Sequence, residues 1–351
     1  MPLTDASSYP LWANALLFAV AGAIVWFAGT RLSRYLGEVS EITGIEQATV
    51  GMLMLGTLTS LPEIANVATS SYFDNPALAA NNLLGSASIN VVLLAVIDVI
   101  FGRDALTASI ARPSTLLQSA LCMMLLILVA LAVTTGDVLF LGIGAWPTAL
   151  FALSLTAFWL SKGYSARAAW GLHSPGEKSA HPKHPAPAPA PDAPSGWHRL
   201  LPRIAGAALL ILIAGYTLSQ SGDAIAHQTG LGAGLVGFLL IGFATSLPEL
   251  SSISTSVRMR RHEMAIGEVL GTNFVNISLL LLADAVFTGE PVINVLGRFE
   301  AVSAMLGALL VGVYLVGLLE RRNPVILRMG YDSLVVLLVF AGGVMLLFAV
   351  R

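Results

Sequence analysis

The fold of this chain is decided by the stretch Gly56-Thr57-Leu58-Thr59-Ser60-Leu61-Pro62-Glu63, which lies inside a long apolar run. A closely related stretch, Gly242-Phe243-Ala244-Thr245-Ser246-Leu247-Pro248-Glu249, follows 186 positions later. The same offset pairs further residues well beyond these two phrases: Gly85 with Gly271, Asn90 with Asn276, and Asp98 with Asp284. Polar groups of this kind are unfavourable in hydrocarbon and usually line a functional site. The duplication therefore predicts one site built between two repeats.

The composition is that of a membrane protein. Of the 351 residues, 56% are hydrophobic and only 11% are charged, whereas soluble domains carry about 25% charged residues. Cys122 is the only cysteine, so no intramolecular disulfide can form. The sequence has no lipidation signal, nucleotide-binding glycine loop or basic stripe, so we expect no cofactor and no nucleic-acid partner.

Hydropathy predicts ten membrane-spanning helices, because a span needs about 20 mainly apolar residues. They cover approximately residues 12–36, 43–72, 77–101, 113–134, 138–161, 203–221, 231–257, 264–287, 299–319 and 331–350. Polar residues interrupt the second, third, seventh and eighth spans, and these four spans carry the repeat.

The spans divide the chain into two five-helix repeats with a linker between them. We expect the first repeat at 1–162 (motif 56–101), the linker at 163–202, and the second repeat at 203–351 (motif 242–287). Alternating Ala and Pro near residues 185–191 favours an extended polyproline chain, so the linker is predicted to be disordered. Its histidines could form a metal-sensing loop, but no carboxylate or cysteine stands at ligand spacing, which favours an ordinary solvated linker.

Basic residues predict the orientation, since Lys and Arg concentrate on the cytoplasmic side. With both termini outside, 16 of the 18 basic residues face the cytoplasm, and only Arg298 and Arg351 lie outside. The two repeated phrases then run in opposite directions across the bilayer. We therefore predict an all-α polytopic membrane protein with ten transmembrane helices, arranged as two inverted-topology five-helix repeats. The alanine-rich chain and its short loops suggest a bacterial inner membrane, and we expect a monomer in the lipid bilayer.

The repeated phrases provide oxygen ligands. Proline removes a backbone hydrogen bond and clashes with the carbonyl one turn earlier, which frees the carbonyl of Leu58 or Ala244 and loosens that of Thr59 or Thr245. Carboxylates, hydroxyls and amides add further oxygens, and an all-oxygen set suits Ca²⁺ or Na⁺ rather than zinc or copper. The candidate metal-ligating residues are Glu63, Glu249, Thr59, Thr245, Ser60, Ser246, Ser86, Thr272, Asn90 and Asn276.

Spacing brings these groups to one side of each helix. Residues three or four apart share a helix face, as Ser60 and Glu63 do, and likewise Ser86 and Asn90. Two carboxylates carry a charge of −2, which one Ca²⁺ or two Na⁺ would neutralise. Cations that compete for the same oxygens exclude each other, and this is the minimum requirement for antiport.

Each group also has a simpler interpretation. An isolated Ser or Thr can bond a carbonyl of its own helix, a proline can be only a kink, and a glutamic acid can be protonated and hydrogen-bonded. Asp98 and Asp284 could be caps at the membrane interface or vestibule residues on the ion path. Glu268 could be a ligand on the cytoplasmic access path or an interfacial partner of the basic residues at 258–261.

The phrase Gly-x-x-Thr-Ser-Leu-Pro-Glu, followed by Gly-Ser/Thr-x-x-x-Asn in both halves, resembles the alpha-repeats of the cation/Ca²⁺ exchanger superfamily. It is most similar to the prokaryotic Na⁺/Ca²⁺ exchanger branch. The resemblance implies that Glu63 and Glu249 bind Ca²⁺ centrally with the carbonyls of Thr59 and Thr245. The flanking Na⁺ positions would be formed by Ser60, Ser86, Ser246, Thr245 and Thr272. Gly56 and Gly242 would contribute further carbonyls, and Asn90 and Asn276 would complete the centre. It also implies alternating access by sliding of the first and sixth spans.

The chain departs from this pattern at three places. Asn276 stands where Asp is frequent, Ala87 replaces an Asn, and Asn81 stands where Gly is common. The leading hypothesis is a Ca²⁺/Na⁺ antiporter rather than an enzyme. The alternatives are coupling to H⁺ or another divalent cation on the same fold, a polytopic membrane enzyme using the two glutamates as acid and base, or a cation channel.

Overall fold

The computed structural model describes residues 8–45, 47–101, 113–140, 142–161, 197–229, 233–320, 325–326 and 329–350. The first repeat forms α1 (Leu11–Thr43), α2 (Gln47–Val50), a π-helical segment (Gly51–Leu55), α3 (Gly56–Thr59), α4 (Leu61–Tyr72), α5 (Pro76–Phe101), α6 (Pro113–Thr135), the hairpin strands β1 (Leu139–Phe140) and β2 (Ile143–Gly144), and α7 (Ala145–Ser161). The second repeat forms α8 (Trp197–Thr229), α9 (Ala233–Leu235), a π-helical segment (Val236–Ile241), α10 (Gly242–Thr245), α11 (Leu247–Arg258), α12 (His262–Ser278), α13 (Leu280–Val286), α14 (Val292–Val295), α15 (Arg298–Glu320), β3 (Val325–Ile326), β4 (Met329–Gly330) and α16 (Tyr331–Val350).

The predicted all-α polytopic membrane protein is confirmed. Seven stretches are long and apolar enough to cross a membrane: α1, α5, α6, α8, α12 with α13, α15 and α16. The bent pair α10–α11 makes an eighth if it counts as one span, and α7 is a shorter apolar helix. The remaining predicted span coincides with the helical chain α2–α4. Ten spans in two inverted repeats are consistent with this fold and stay a prediction.

Two helices extend beyond their predicted spans. Helix α1 continues to Thr43 and ends at Gly44, which adopts a left-handed conformation with φ 67°. The Gly44 N–H donates to the Ser40 carbonyl. Glycine takes this conformation without strain, which makes it a common helix terminator. Helix α8 begins at Trp197, six residues before the predicted start of the second repeat. Hydropathy detects only the apolar part of a helix, so polar ends are missed. The rest of the predicted linker, up to residue 196, lies outside the described residues.

The polar phrases surround two central helices. Buried residues make up 78% of the most apolar window of α5 and 72% of that of α12–α13, against 22% for α1 and 17% for α16. Large apolar side chains on the outer helices, such as Trp12 and Phe27, are exposed, as a lipid-facing surface requires. The fold thus places α5 and α12 at its centre, away from lipid.

Reciprocal contacts relate the two repeats by a pseudo-two-fold axis. A Cβ added to Gly85 would lie 2.1 Å from the Phe238 carbonyl oxygen, and one added to Gly271 would lie 2.3 Å from the Met52 carbonyl oxygen. Gly271 matches Gly85, and Phe238 matches Met52, at the offset of 186. When a contact between two residues recurs between their counterparts in the other repeat, the two repeats are related by a two-fold rotation. Each π-helical segment therefore packs against the central helix of the other repeat.

The same symmetry explains Asp98 and Asp284. Asp284 accepts a hydrogen bond from the Gly144 N–H at 2.6 Å, and Asp98 accepts one from the Gly330 N–H at 2.8 Å. Both donors are the last residues of matched β-hairpins and immediately precede the final helix of the opposite repeat. The two aspartates therefore act as caps, which was one of the two roles that the sequence left open.

Candidate cation-binding site

Each repeated phrase breaks its helix at the serine before the Leu-Pro-Glu sequence. Ser60 (φ −77°, ψ 5°) separates α3 from α4, and Ser246 (φ −85°, ψ 5°) separates α10 from α11. The second break bends the helix by 49°. Proline then occupies the first turn of the new helix, where its missing N–H is tolerated. Within the described residues, no backbone hydrogen bond across either break is accepted by the carbonyl oxygen of Thr59 or Thr245.

All ten predicted ligands lie in the protein interior. None is more than 1% exposed: Thr59, Ser60, Glu63, Ser86, Asn90, Thr245, Ser246, Glu249, Thr272 and Asn276. The helix breaks bring α4 and α11 against the central helices α5 and α12. The structure thus brings the ten residues into one buried region, and their role as a cation site stays a prediction.

The two glutamates are buried carboxylates without a cationic side-chain partner. Glu63 accepts a hydrogen bond from the Ser86 hydroxyl at 3.3 Å through Oε1, while its Oε2 has no hydrogen-bond partner. Both carboxylate oxygens of Glu249 lack a partner, and Glu249 lies within electrostatic range of Glu63. A buried charge is very unfavourable unless it is paired or coordinates a metal. The oxygens at this centre are thus free to bind a cation.

Hydroxyls from the central helices reach the phrase of the opposite repeat. The Ser86 hydroxyl lies 3.1 Å from the Thr245 hydroxyl and 3.4 Å from the Gly242 carbonyl oxygen. Its mate Thr272 donates to the Gly56 carbonyl, also at 3.4 Å. These contacts join the four polar elements into one centre that crosses the pseudo-two-fold axis.

The serines of the helix breaks behave differently. The Ser60 hydroxyl donates to the Gly56 carbonyl of its own helix at 2.7 Å, which is the simpler role considered for an isolated serine. The Ser246 hydroxyl has no hydrogen-bond partner. A hydroxyl that donates its hydrogen keeps its oxygen lone pairs, so both serines retain oxygens that could bind a cation.

The asparagines at the centre are not equivalent. The Asn90 side-chain amide donates to Asn273 Oδ1 at 3.2 Å, whereas neither polar atom of the Asn276 side chain has a partner. The mate of Asn273 is residue 87, which is alanine, so the symmetric bond for Asn276 cannot form. Asn273 donates instead to the Ala87 carbonyl at 3.2 Å. The unpartnered amide of Asn276 follows directly from the departure at Ala87.

A second polar pair lies beside the glutamates in each repeat. In the first repeat the Asn82 amide donates to Asn66 Oδ1 at 3.0 Å, and Asn82 Oδ1 accepts from the Thr245 hydroxyl at 3.1 Å. In the second repeat the matched pair is Ser252 and Glu268, whose side chains are hydrogen-bonded. Glu268 is fully buried and does not pair with Arg261, which pairs with Glu41.

Asn66 and Ser252 are the polar residues that sequence reasoning missed. The signal that would have found them is the constant offset of 186, combined with their position three residues after each glutamate.

The site thus combines carboxylate, hydroxyl, amide and carbonyl oxygens. Within the described ranges, no group of three or more His, Cys, Asp or Glu side chains is arranged to hold a metal ion. Oxygen ligands of mixed type suit hard cations such as Ca²⁺ and Na⁺.

Comparison with known proteins identifies the family. The profile of the family described as sodium/calcium exchanger protein matches residues 13–160 and 201–349. Inner membrane protein YrbG of Escherichia coli strain K12 is 29% identical over 317 residues, which cover 90% of each protein. CaxA, a candidate antiporter of Alkalimonas amylolytica, is 28% identical over 341 residues, covering 95% of this chain and 99% of that protein. A structure of the sodium-calcium exchanger NCX_Mj, soaked with Na⁺ and Sr²⁺, matches with a TM-score of 0.67 and 16% identity, covering 96% of this chain and 99% of that one.

These findings agree with the geometry. The likeness to NCX_Mj shows a shared fold over almost the whole chain. The family profile matches the chain in two blocks and leaves out residues 161–200 between them. The family and its structural neighbour are transporters rather than enzymes. The chain therefore belongs to the sodium/calcium exchanger family, whose members are membrane cation antiporters.

Proposed function

We propose that the chain exchanges Ca²⁺ for Na⁺ across the membrane by alternating access, with Glu63 and Glu249 as the central ligands. The observation that carries this proposal is the pair of symmetry-matched carboxylates, both 0% exposed and without a basic partner in the described residues. One Ca²⁺ or two Na⁺ would balance their charge. Because both ions need the same oxygens, the site would hold one type at a time, and the two ions would be carried in opposite directions.

The other candidate residues complete the coordination. Hard cations prefer several oxygen ligands, so we assign the carbonyls of Thr59 and Thr245 to Ca²⁺ together with the glutamates. The flanking Na⁺ positions are assigned to hydroxyls, namely those of Ser60, Ser86, Thr245, Ser246 and Thr272. The amides of Asn90 and Asn276 are assigned to the centre. The contacts of Ser86 with Glu63 and Thr245 support a shared centre.

Helices α1 and α8 are placed to move. They pack along each other, and each crosses the helix break of the opposite repeat. A Cβ added to Gly29 of α1 would lie 2.9 Å from the Pro248 carbonyl oxygen, and one added to Gly215 of α8 would lie 2.4 Å from Pro62 Cβ. Each helix thus meets the opposite break through a glycine, which has no side chain to interlock there. This contact supports sliding of the pair past the bundle, which would open the site alternately to the two sides.

We further propose where and how the protein works. It acts as a monomer in a bacterial inner membrane, with both termini outside and the 163–202 loop in the cytoplasm. The repeats at 1–162 and 203–351 form one transport unit. The 16-to-2 distribution of basic residues supports this orientation.

The test is uptake of ⁴⁵Ca²⁺ into proteoliposomes loaded with Na⁺. We expect uptake that requires the outward Na⁺ gradient and falls to the background of empty liposomes in Glu63→Gln and Glu249→Gln, since each change removes one of the two charges. Glu38→Gln is the matched control, because Glu38 is exposed on α1 and outside the site. It should transport like the wild type.

Other results would redirect the proposal. Uptake driven only by an outward H⁺ gradient would establish H⁺ coupling on the same fold. Uptake of another divalent cation in preference to Ca²⁺ would change the substrate but keep the mechanism. Ca²⁺ flux that needs no counter-ion on the opposite side would indicate a channel and contradict exchange.

A further inference from the structure

Glu268 is a buried carboxylate that the proposed exchange does not use. It lies on α12 one turn before Thr272, so the two side chains share a helix face. Glu268 is 0% exposed, and its Oε2 has no hydrogen-bond partner. No basic side chain of the described residues forms an ion pair with it. Such a group is unfavourable in a dry interior unless something neutralises its charge.

The first repeat shows that the fold does not require this charge. The equivalent of Glu268 is Asn82, which donates to Asn66 at 3.0 Å. The equivalent of Asn66 is Ser252, whose hydroxyl bonds the Glu268 carboxylate. A neutral amide pair therefore fills the same place in one repeat that a hydroxyl–carboxylate pair fills in the other. The carboxylate is an addition to the second repeat rather than a structural necessity.

The surroundings of Glu268 are those of a cation position. Ser252 lies one turn after Glu249, and its hydroxyl is 3.1 Å from the Glu249 main-chain carbonyl oxygen. Glu249 is also within electrostatic range of Glu268. The Ser252 hydroxyl has one hydrogen, so it keeps oxygen lone pairs whichever acceptor it serves. The Glu268 carboxylate, the Ser252 hydroxyl and this carbonyl are all hard oxygens.

We propose that Glu268 and Ser252 form an additional Na⁺ position beside the central glutamates. The proposal rests on the exchange function proposed above and extends it. The single charge of Glu268 balances one Na⁺, whereas Ca²⁺ would leave an excess positive charge in the protein interior. A Na⁺ here would also relieve the repulsion between Glu249 and Glu268. The site would then take up one Na⁺ more than the two that balance Glu63 and Glu249.

Direct binding of ²²Na⁺ to the purified full-length protein tests this position. In the absence of Ca²⁺, we expect Glu268→Gln to bind one Na⁺ fewer per chain than the wild type. Binding of ⁴⁵Ca²⁺ should stay within a few-fold of the wild-type value, because both central glutamates remain. Glu38→Gln makes the same chemical change on the exposed face of α1 and should bind the wild-type number of Na⁺.

An unchanged number of Na⁺ bound to Glu268→Gln would overturn the proposal and mean that Glu268 is carried as a neutral acid. If that variant fails to fold, Ser252→Ala carries the test: it keeps the carboxylate, and we expect its weakest Na⁺ position to lose affinity several-fold. Unchanged Na⁺ affinity in Ser252→Ala would equally overturn the proposal. A third outcome separates the two proposals: Glu268→Gln binds one Na⁺ fewer, but the wild-type protein shows no Na⁺-driven ⁴⁵Ca²⁺ uptake. That outcome would contradict the exchange function alone.

Discussion

At the scale of single residues, the site departs from symmetry in ways that have local causes. Ala87 leaves Asn276 without a partner, while the mate of Asn276, Asn90, has one. The unusual Asn81 also has a partner, because its amide donates to Glu300 Oε1 at 2.8 Å on α15. Glu300 in turn accepts the Gly297 N–H at 2.7 Å and caps that helix. The divergence of the first repeat is therefore partly structural and does not by itself remove the site.

Restoring the missing bond is a direct test at this scale. We expect Ala87→Asn to give Asn276 the partner that Asn273 gives Asn90, and so to stabilise the folded protein by about 1 kcal/mol, the usual worth of one hydrogen bond. Thermal unfolding in detergent would show a higher midpoint than the wild type. A lower midpoint would mean that the larger side chain is not accommodated beside Asn273 and that the asymmetry is required.

The residue types gathered at the candidate site could be predicted from the sequence, but their hydrogen bonding could not. Two glutamates at a constant offset in apolar spans already indicate a duplicated carboxylate site, and both lie buried between the repeats. The short hydrogen bond of Ser60 to its own helix and the partnerless Ser246 depend on the local backbone of each break. Residue types at matched positions cannot distinguish these two states.

At the scale of elements, the close approach of each π-helical segment to a central helix depends on glycine. The carbonyls of Phe238 and Met52 occupy the space that a side chain at Gly85 or Gly271 would need. π-Helical turns are rare and concentrate at functional sites. Here they immediately precede the two repeated phrases, so the docking of the π segments sets the position of the ligands that follow.

A methyl group at either glycine should disturb this docking. Gly85→Ala and Gly271→Ala place a Cβ within 2.3 Å of a main-chain oxygen, and overpacking of this kind costs typically 1–3 kcal/mol or more, as an order of magnitude. We expect a lower unfolding midpoint and loss of Na⁺-driven ⁴⁵Ca²⁺ uptake. Gly206→Ala is the control, because a Cβ at Gly206 meets nothing within 4 Å. Wild-type stability and uptake in Gly85→Ala would show that the π-helical segment can move away from α5 without impairing transport.

The helix breaks illustrate what sequence patterns can and cannot locate. Proline in each phrase predicts a disturbed helix, and the break falls two residues earlier, at Ser60 and Ser246. The hydropathy pattern gives no sign of the π-helical turns before them, each of which packs against the central helix of the other repeat. Likewise, the polar start of α8 at Trp197 lies beyond the apolar residues that hydropathy recognises.

At the scale of the whole molecule, charge distribution predicts an orientation that can be measured directly. Cys122 is the only cysteine of the chain, so a Cys122→Ser background carries no competing thiol. We expect Val138→Cys, at a site 71% exposed next to β1, to react with a membrane-impermeant maleimide in intact spheroplasts. Ser179→Cys, within the predicted linker, should react only after lysis. The opposite labelling pattern would place both termini in the cytoplasm and contradict the count of basic residues.

The overall architecture was the part most accessible to prediction. A constant offset of 186 extends from the phrases to the hairpins before α7 and α16, where Gly144 matches Gly330. Such self-similarity predicts two related halves before any contact is known. The cross-repeat roles of Asp98 and Asp284 stayed open, because a sequence does not say which N–H a carboxylate will meet across the axis.

The exchange of caps between the halves has a consequence for biosynthesis. Gly144 is synthesised 140 residues before Asp284, the side chain that accepts its N–H. At about 5–20 residues per second, translation takes about 7–28 s to cover that distance. The start of α7 therefore lacks its capping carboxylate while the amino-terminal half is being synthesised, and it gains one only when Asp284 has been made. The start of α16 has no such delay, because Asp98 is synthesised 232 residues before Gly330.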